Sequence, residues 1–508
     1  MFNTIVDSMA WRPYASFTDM QRAVLRDKLT QVPRQTSAHR NAPEPIELFK
    51  QDEERQLFGI PREFYWSKRT VEHPIEDLTV DGAAMGDFES LVSHKGKFAT
   101  QAQTVERITS ILRSRPWGGT ILEAGCGSGK TVCALQIARI FGRRTLILVN
   151  KEFLLEQWVE QIAKFMPGAK IGIVQQAKCE VDACDFVVGM LSSLASRDYG
   201  DEMARGFGFL IADEVHRVGA RTWAPVVPKF PARFRLGLSA TVRRKDGMAR
   251  AFFDHIGEVG WKHQGESMVP ALRVLEYEPE IRAVMGAGGK IRMPGSLTMS
   301  ELEPQLAKSP ERNSLIAEDV LEAAKAGRKV MVLARRLEHL RLIAEEVGRL
   351  IRLDECANIV VDAFTGSWFQ EKDGGLMIVK RHAEELELAK SANIIMATEQ
   401  LVSEALDIPA LDVLWIASPI SDVTQAIGRV QRYCEPNEAK CKALCKWRAG
   451  VCESKPQPIV VDLVDQGVAL ATTAQTHRRR TYRQLGIDVS ARTIVSADVL
   501  VRKPRTAP

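Results

Sequence analysis

The chain has 508 residues, length enough for about three domains that each bury a core. Hydrophobic content of 45% and charged content of 26% are those of a globular protein, and no apolar run nears the roughly 18 residues that span a bilayer. Net charge is only +5, yet Arg429 to Pro508 holds 15 Lys/Arg against 7 Asp/Glu, a basic end that suits a polyanion partner or a solvated tail.

The opening MFNTIVDSMAWRPYAS has no basic start followed by an apolar stretch, so it does not read as a signal peptide. An amphipathic stretch, WRPYASFTDMQRAVLRDKL, and the aromatic run Phe58–Trp66 precede the first clear sheet pattern. ILEAGCGSGKT (Ile121–Thr131) then sets three glycines, a lysine and a threonine behind a short apolar run. A strand ending at Glu123, a glycine loop and a helix with Val132, Leu135, Ile137, Ala138 and Phe141 on one face make the context of a phosphate loop. Ala124, Gly125, Cys126, Gly127, Ser128 and Gly129 bring backbone N–H groups around a phosphate, and the helix N-terminus adds partial positive charge. Lys130 is expected to reach the β- and γ-phosphates, and Thr131 to set its hydroxyl on Mg²⁺.

Arg144–Asn150, Cys184–Met190 and Phe207–Val218 read as buried strands, and Leu154, Trp158, Ile162 and Phe165 repeat at helical spacing between the first two. Alternating strands and helices predict a parallel sheet covered on both faces, with ligands at the carboxyl ends of its strands. Asp213 and Glu214 leave the apolar run FLIA at that edge. An aspartate there holds Mg²⁺ opposite Thr131, and the glutamate orients the attacking water.

In the second half, Ser309 and Pro310 open a helix that Gly327 closes. Lys329–Ala334, Ala392–Thr398 and Asp412–Ser418 read as further buried strands, so a second α/β lobe is expected. Arg429 and Arg432, near Gln425 and Gly428, are three apart and share one side of a helix. Brought to a γ-phosphate held by the other lobe, such a pair stabilises transition-state charge, an effect of roughly 10³–10⁵ in rate. Cys434, Cys441, Cys445 and Cys452 cluster just beyond, either as a structural Zn²⁺ site of four thiolates or as free cysteines; metal content of the purified protein separates the two. The other five cysteines are scattered singly, as in a reducing compartment.

AGCGSGKT (Ala124–Thr131), DEVH (Asp213–His216) and SAT (Ser239–Thr241) together resemble motifs I, II and III of superfamily 2 helicases. FATQAQTVERI, LILVNKEFLLEQW, SEALDIP (Ser403–Pro409) and QAIGRVQR (Gln425–Arg432) are similar to that superfamily's glutamine stretch and motifs Ia, V and VI. LGLSATVRRKDG (Leu236–Gly247) looks like the branch that includes phage branch-migration helicases and XPB-type translocases. The resemblance implies an α/β fold of two tandem RecA-like parallel-sheet lobes with an N-terminal accessory domain that grips DNA or serves as a packing platform. The organisation it predicts is an N-terminal module over 1–95, a first lobe over 96–265, a linker over 266–308, a second lobe over 309–475 with a Cys-rich insertion at 433–455, and a basic tail over 476–508.

By the same resemblance Gln101 contacts adenine, Asp407 lies at the nucleotide, and His216, Ser239, Ala240 and Thr241 pass the nucleotide state onward. Lys151 and Thr398 would contact nucleic-acid phosphates. ATP and Mg²⁺ are the implied cofactors, and branched, forked or single-stranded DNA is the implied partner, with no membrane. The setting is the cytoplasm of a bacterium or a phage-infected host. The implied function is a DNA helicase or translocase acting in recombination, repair or replication. The alternatives are an RNA helicase and an ATP-gated nucleic-acid scaffold without turnover.

Overall fold

The computed structural model describes the chain apart from residues 1–2, 33–43, 69–73, 93–98, 126–127, 216–224, 241, 243–247, 264–267, 286–290, 373–374, 405–407, 409, 432–454, 491–494 and 497–508. It forms two compact units, Met1–Glu266 and Ser267–Pro508.

The first unit begins with a small sheet. Thr4–Val6 (β1), Met9–Pro13 (β2), Lys50–Asp52 (β3), Leu57–Pro61 (β4) and Ile75–Asp77 (β5) pair in the order β3-β4-β2-β1-β5. Thr18 caps the helix Asp19–Leu29 (α1) through a reciprocal bond with Gln21, and Arg62–Lys68 (α2) follows β4. Phe58, Ile60, Phe64 and Tyr65 share one buried cluster with Trp117, Met248 and Ala251 of the lobe that follows. The module therefore closes its core only against that lobe.

Fully buried arginines fasten the two. Arg62 Nη1 donates to Asp7 O at 3.0 Å and to Ala232 O at 2.9 Å. From the lobe, Arg235 donates Nη2 to Ser8 O at 2.9 Å and Phe230 O at 3.0 Å, and Nη1 to His255 O at 2.8 Å. Glu63 accepts from the Gly119 N–H at 2.8 Å and pairs with Arg115 at 2.9 Å. The module is thus packed on the lobe through buried side chains.

The lobe itself is an eight-stranded sheet. Its strands are Gly118–Ala124 (β6), Thr145–Val149 (β7), Ile171–Gln175 (β8), Lys178–Cys179 (β9), Phe186–Met190 (β10), Phe209–Ala212 (β11), Phe234–Ser239 (β12) and Val259–His263 (β13). They run in the order β9-β8-β10-β7-β11-β12-β6-β13, parallel except where β9 turns back on β8. Ala99–Arg113 (α3), Lys130–Phe141 (α4), Glu152–Phe165 (α5) and Ala249–Ile256 (α6) are its principal helices. Every residue of β7 and β10 is buried, as a sheet covered on both faces requires. Register sets Ala212 beside Leu148 and Gly237, Ser239 beside Glu123, and His263 beside Ala124. The ends of β6, β7, β11, β12 and β13 thus make one carboxyl edge.

The second unit is a seven-stranded, wholly parallel sheet with, apart from the short antiparallel pair Val284–Met285 and Ile291–Arg292, a separate hairpin. Its strands are Ala271–Tyr277 (β14), Val330–Ala334 (β15), Val361–Phe364 (β16), the hairpin pair Ser367–Lys372 (β17) and Gly375–Lys380 (β18), Ile394–Thr398 (β19), Val413–Ile416 (β20), Ile459–Asp465 (β21) and Val495–Ser496 (β22). The sheet order is β16-β19-β15-β20-β21-β14-β22. Helices are Met299–Ala307 (α7), Pro310–Lys325 (α8), Leu337–Leu353 (α9), Ala383–Ala389 (α10), Glu399–Glu404 (α11), Thr424–Val430 (α12) and Ala469–Gln484 (α13). Ser309 caps α8 by accepting from the Arg312 N–H, with Pro310 in the first turn, as its sequence predicts.

Two expected boundaries move. The stretch 266–308 is no linker, because β14 inserts between β21 and β22 inside the sheet. The boundary at 475–476 falls within α13, whose Arg478 and Tyr482 turn inward onto Asp462 at 2.7 and 2.8 Å. With the buried Arg312–Asp465 pair at 2.7 Å, these contacts pin α8 and α13 to β21; breaking one such pair costs about 3–5 kcal/mol. Among the described residues no helix is long and apolar enough to cross a membrane.

Candidate active site

The phosphate loop leaves β6 at Ala124 and enters α4 at Lys130. Gly129 takes φ +83°, a left-handed conformation that favours glycine, and a Cβ there would fall 2.3 Å from Gln101 Nε2 and displace that side chain. Gln101, buried on α3, donates Nε2 to Ser128 O at 3.2 Å and braces the loop. The amide nitrogen of Gln101, the residue expected to contact adenine, is thus engaged by the phosphate loop. Ser128 Oγ donates to Gly125 O at 2.7 Å. Lys130 Nζ donates to Ala124 O at 2.8 Å and Gly125 O at 3.3 Å. An ammonium resting on two loop carbonyls can exchange them for phosphate oxygens, which form bonds roughly twice as strong.

The acids stand where β11 ends. Asp213 is buried; its Oδ2 accepts from Trp158 Nε1 at 2.8 Å and its Oδ1 from the Glu214 N–H at 2.9 Å. Burial first, and the charge of Glu214 second, push the Asp213 carboxyl up to about 6, while the Trp158 bond and the charge of Lys130 act the other way. The non-glycine Glu214 takes φ +49°, a left-handed conformation that costs about 1–2 kcal/mol.

This donor set fits a hard divalent cation. One buried carboxylate, each oxygen already oriented by an N–H, and the Thr131 hydroxyl at the second position of α4 suit Mg²⁺, which takes few protein oxygens and completes its shell with phosphate and water. Proton and cation then compete for Asp213. Below about pH 6 the apparent affinity for Mg²⁺–ATP should fall about tenfold per pH unit, read by nucleotide-binding titrations between pH 5 and 7. A flat profile would remove Asp213 as a ligand. For folding alone the sign is opposite: the folded chain takes up this proton before the unfolded one, so the group favours folding as pH falls from about 6 toward its ordinary value of 3.8.

Other expected residues occupy the same edge or lie beyond description. Ser239 is buried at the end of β12 beside Glu123, with Ala240 next, and Lys151 caps α5 just past β7. In the second unit Thr398 ends β19. Gln425 lies in the first turn of α12, its Oε1 buried with no hydrogen-bond partner among the described residues. Arg429 Nε donates to Val402 O at 3.0 Å, tying α12 to α11. Cys126, Gly127, His216, Thr241, Asp407, Arg432, Cys434, Cys441, Cys445 and Cys452 lie outside the described residues. No group of three or more His, Cys, Asp or Glu is placed to hold a metal among the described residues.

Some neighbours carry no local signal. Helical spacing makes Trp158 a core residue, which it is, but only the fold brings its indole to Asp213. His263 reaches the loop because β13 pairs with β6. Its Nδ1 lies 2.6 Å from Thr104 Oγ1, which also accepts from Trp261 Nε1 at 3.1 Å. Burial, then the charge of Lys130, holds His263 below its ordinary value, so it is neutral at pH 7. Thr100, Gln103, Trp261, Lys262 and His263 line a cavity of about 530 Å³ there.

Residues 96–244, which hold every nucleotide-site position of the first unit, match the family model for the type III restriction enzyme res subunit, ResIII. A putative ATP-dependent RNA helicase of Acanthamoeba polyphaga mimivirus is 29% identical over 395 residues, 75% of this chain and 69% of that protein. The DNA 3'-5' translocase XPB2 of Sulfurisphaera tokodaii is 31% identical over 145 residues, 28% of this chain and 31% of its own length. The crystal structure of T4 UvsW is similar across 98% of this chain and 99% of that one, at 14% identity and a TM-score of 0.37.

Proposed function

We propose that the chain is a superfamily 2 helicase, an ATP-dependent hydrolase whose track is DNA, and that it couples hydrolysis to unwinding or branch migration of branched DNA in recombination, repair or replication. The observation that carries the chemistry is the carboxyl edge on which Lys130, Asp213 and Glu214 meet, with Asp213 held by Trp158 and sensing the charge of Lys130.

In this reading the loop amides from Gly125 to Gly129 cradle the phosphates and Lys130 exchanges its carbonyl partners for them. Thr131 and Asp213 hold Mg²⁺, which when bound offsets the phosphate charge. Glu214 orients and polarises the attacking water. Arg429 and Arg432, with Gln425, meet the γ-phosphate, and Asp407 lies near the nucleotide. Gln101 reads the base while bracing the loop. His216, Ser239, Ala240 and Thr241 relay the nucleotide state to Lys151 and Thr398, which hold nucleic-acid phosphates without regard to sequence. Residues 1–95 serve as a platform, and the four clustered cysteines would hold a structural zinc. The setting is the cytoplasm of a phage-infected or bacterial cell.

The lean toward DNA rests on the SATVRRKDG stretch and on the DNA translocase relative. RNA is the second reading, favoured by the printed name of the mimivirus relative. ATP turnover measured with single-stranded, duplex, forked and four-way DNA, and with RNA alongside, decides between them. Forked or four-way DNA should stimulate most. Stimulation by RNA alone would reverse the substrate assignment.

A further inference from the structure

The seam between the N-terminal module and the first lobe holds more donors than acceptors. Arg62, Arg235, Trp117 and His255 are each at most 1% exposed. Arg62 uses Nη1 for both of its carbonyls, Asp7 O and Ala232 O. Its Nε and Nη2 are buried with no hydrogen-bond partner among the described residues. Those two nitrogens make up the side of the guanidinium fork that grips an anion in bidentate fashion. Arg235 Nε, Trp117 Nε1 and both ring nitrogens of His255 are likewise buried and unpartnered among the described residues. The Arg62 Cζ stands 5.6 Å from the Trp117 ring, and Trp66 lies edge-on to that ring at 5.2 Å.

Charge is as one-sided as the hydrogen bonding. Arg62 and Arg235 are near enough that each opposes the other's positive charge. Burial, then the charges of Arg235, Lys50 and Arg62, hold His255 down at about 3, so it is neutral and offers one N–H. The nearby carboxylates are engaged elsewhere. Glu63 accepts from the Gly119 N–H at 2.8 Å and from Arg115 at 2.9 Å, and Asp7 Oδ1 accepts from the Met9 N–H at 2.8 Å and Trp11 Nε1 at 2.9 Å. Among the described residues neither makes an ion pair with Arg62 or Arg235. A buried charge without a counter-ion is unfavourable.

Water answers this arrangement poorly. It accepts N–H groups but brings two hydrogens of its own, and every unpartnered atom of Arg62, Arg235 and Trp117 is itself a donor. A monovalent anion only accepts, and it also neutralises the local charge. Burial limits its size. Each of these nitrogens has less than 1 Å² exposed, so a nucleotide, or a carboxylate carried on another chain, has no approach. A halide can be enclosed as the module closes on the lobe. We propose that the Nε–Nη2 edge of Arg62, with the charge of Arg235 beside it, binds a chloride-sized anion that neutralises the seam and makes docking of the N-terminal module depend on halide.

Melting of the full chain tests this, with chloride raised from about 1 to about 100 mM and methanesulfonate holding the ionic strength constant. The parent should gain at least about 4 °C, as an ion bound only by the folded chain requires, and bromide should act alike. Arg62→Lys keeps the charge and a donor for the two carbonyls but lacks the bidentate edge, so its melting should move by no more than about 1 °C over the same range. Crystals of the parent soaked in bromide should show an anomalous peak beside Arg62 Nε and Nη2. A parent indifferent to halide overturns the site, and so does an equal gain in parent and variant, which would be surface screening. A peak without a melting response marks an adventitious ion only and also overturns it. Should Arg62→Lys fail to fold, the soaked parent crystal decides, and ordered water in place of the anomalous peak ends the proposal.

Discussion

Replacing Lys130 by alanine should abolish ATP turnover through lost nucleotide binding, and Glu214→Gln should do so with binding intact. Lys130 makes two hydrogen bonds to loop carbonyls at a partly exposed site, so its loss leaves the fold nearly unchanged. In the proposed reading it removes the side-chain ammonium that meets the β- and γ-phosphates. It also withdraws a charge that lowers the Asp213 carboxyl, leaving burial and Glu214 to push that group further up and weaken the hold on Mg²⁺. Both effects act on the bound nucleotide, so affinity for a fluorescent ATP analogue should fall with turnover. Glu214→Gln is nearly isosteric and keeps the N–H bond to Asp213, which is made by the backbone. It lacks only the carboxylate that polarises water, a general-base contribution of roughly 10²–10⁴ in rate. Turnover should drop by that factor with analogue affinity within about threefold and DNA binding retained. Turnover within about twofold of the parent would move the base elsewhere, and equal loss of affinity in both variants would make Glu214 a binding residue.

The contrast between those two residues follows how the site is written. Lys130 and Thr131 sit in one continuous stretch whose glycines, strand and helix lie side by side in sequence. Asp213 and Glu214 follow an apolar run that can only be a buried strand. Contiguity of this kind is legible, and so are the strands Thr145–Val149, Phe186–Met190 and Val330–Ala334, each a run of apolar residues. What escapes is whatever depends on a distant partner. Ala271–Tyr277 alternates weakly and lies in a stretch that looks like a connector, yet it becomes an inner strand because residues 459–465 and 495–496 pair on either side of it. The Asp-Gly-Gly sequence after Lys372 is itself a hairpin signal. That Leu376 and Ile378 share one face and Met377 the other emerges only from the pairing.

Arg235 is the sharpest case, and it sets the second large expectation. In FRLGLS it alternates with Phe234, Leu236 and Leu238, so it looks like the solvent side of a strand. The N-terminal module covers that side, and the arginine is fully buried with three carbonyls from Ser8, Phe230 and His255 as partners. Arg235→Ala leaves those carbonyls short of a donor, at about 1–3 kcal/mol each where water does not replace it, and leaves a cavity at the seam. A net loss of about 4 kcal/mol is expected, which for a unit of this size lowers the melting temperature by about 8–16 °C. Arg233→Ala is the control. Its bonds to Asp77 and Asp81 at 2.9 Å lie at a partly exposed rim, where such pairs contribute about 1 kcal/mol or less. Calorimetry of the two variants should therefore differ severalfold, with ATP turnover per folded molecule preserved below the transition. The same seam means that deleting residues 1–90 takes Ser8 O from Arg235 and Glu63 from Arg115 and bares Trp117, so the truncated chain should fail to fold before its DNA binding can be read. Melting of Arg235→Ala within about 1 °C of the parent, or a soluble truncated chain with parental turnover, would make the module a separable appendage and return it to the role of an independent DNA grip.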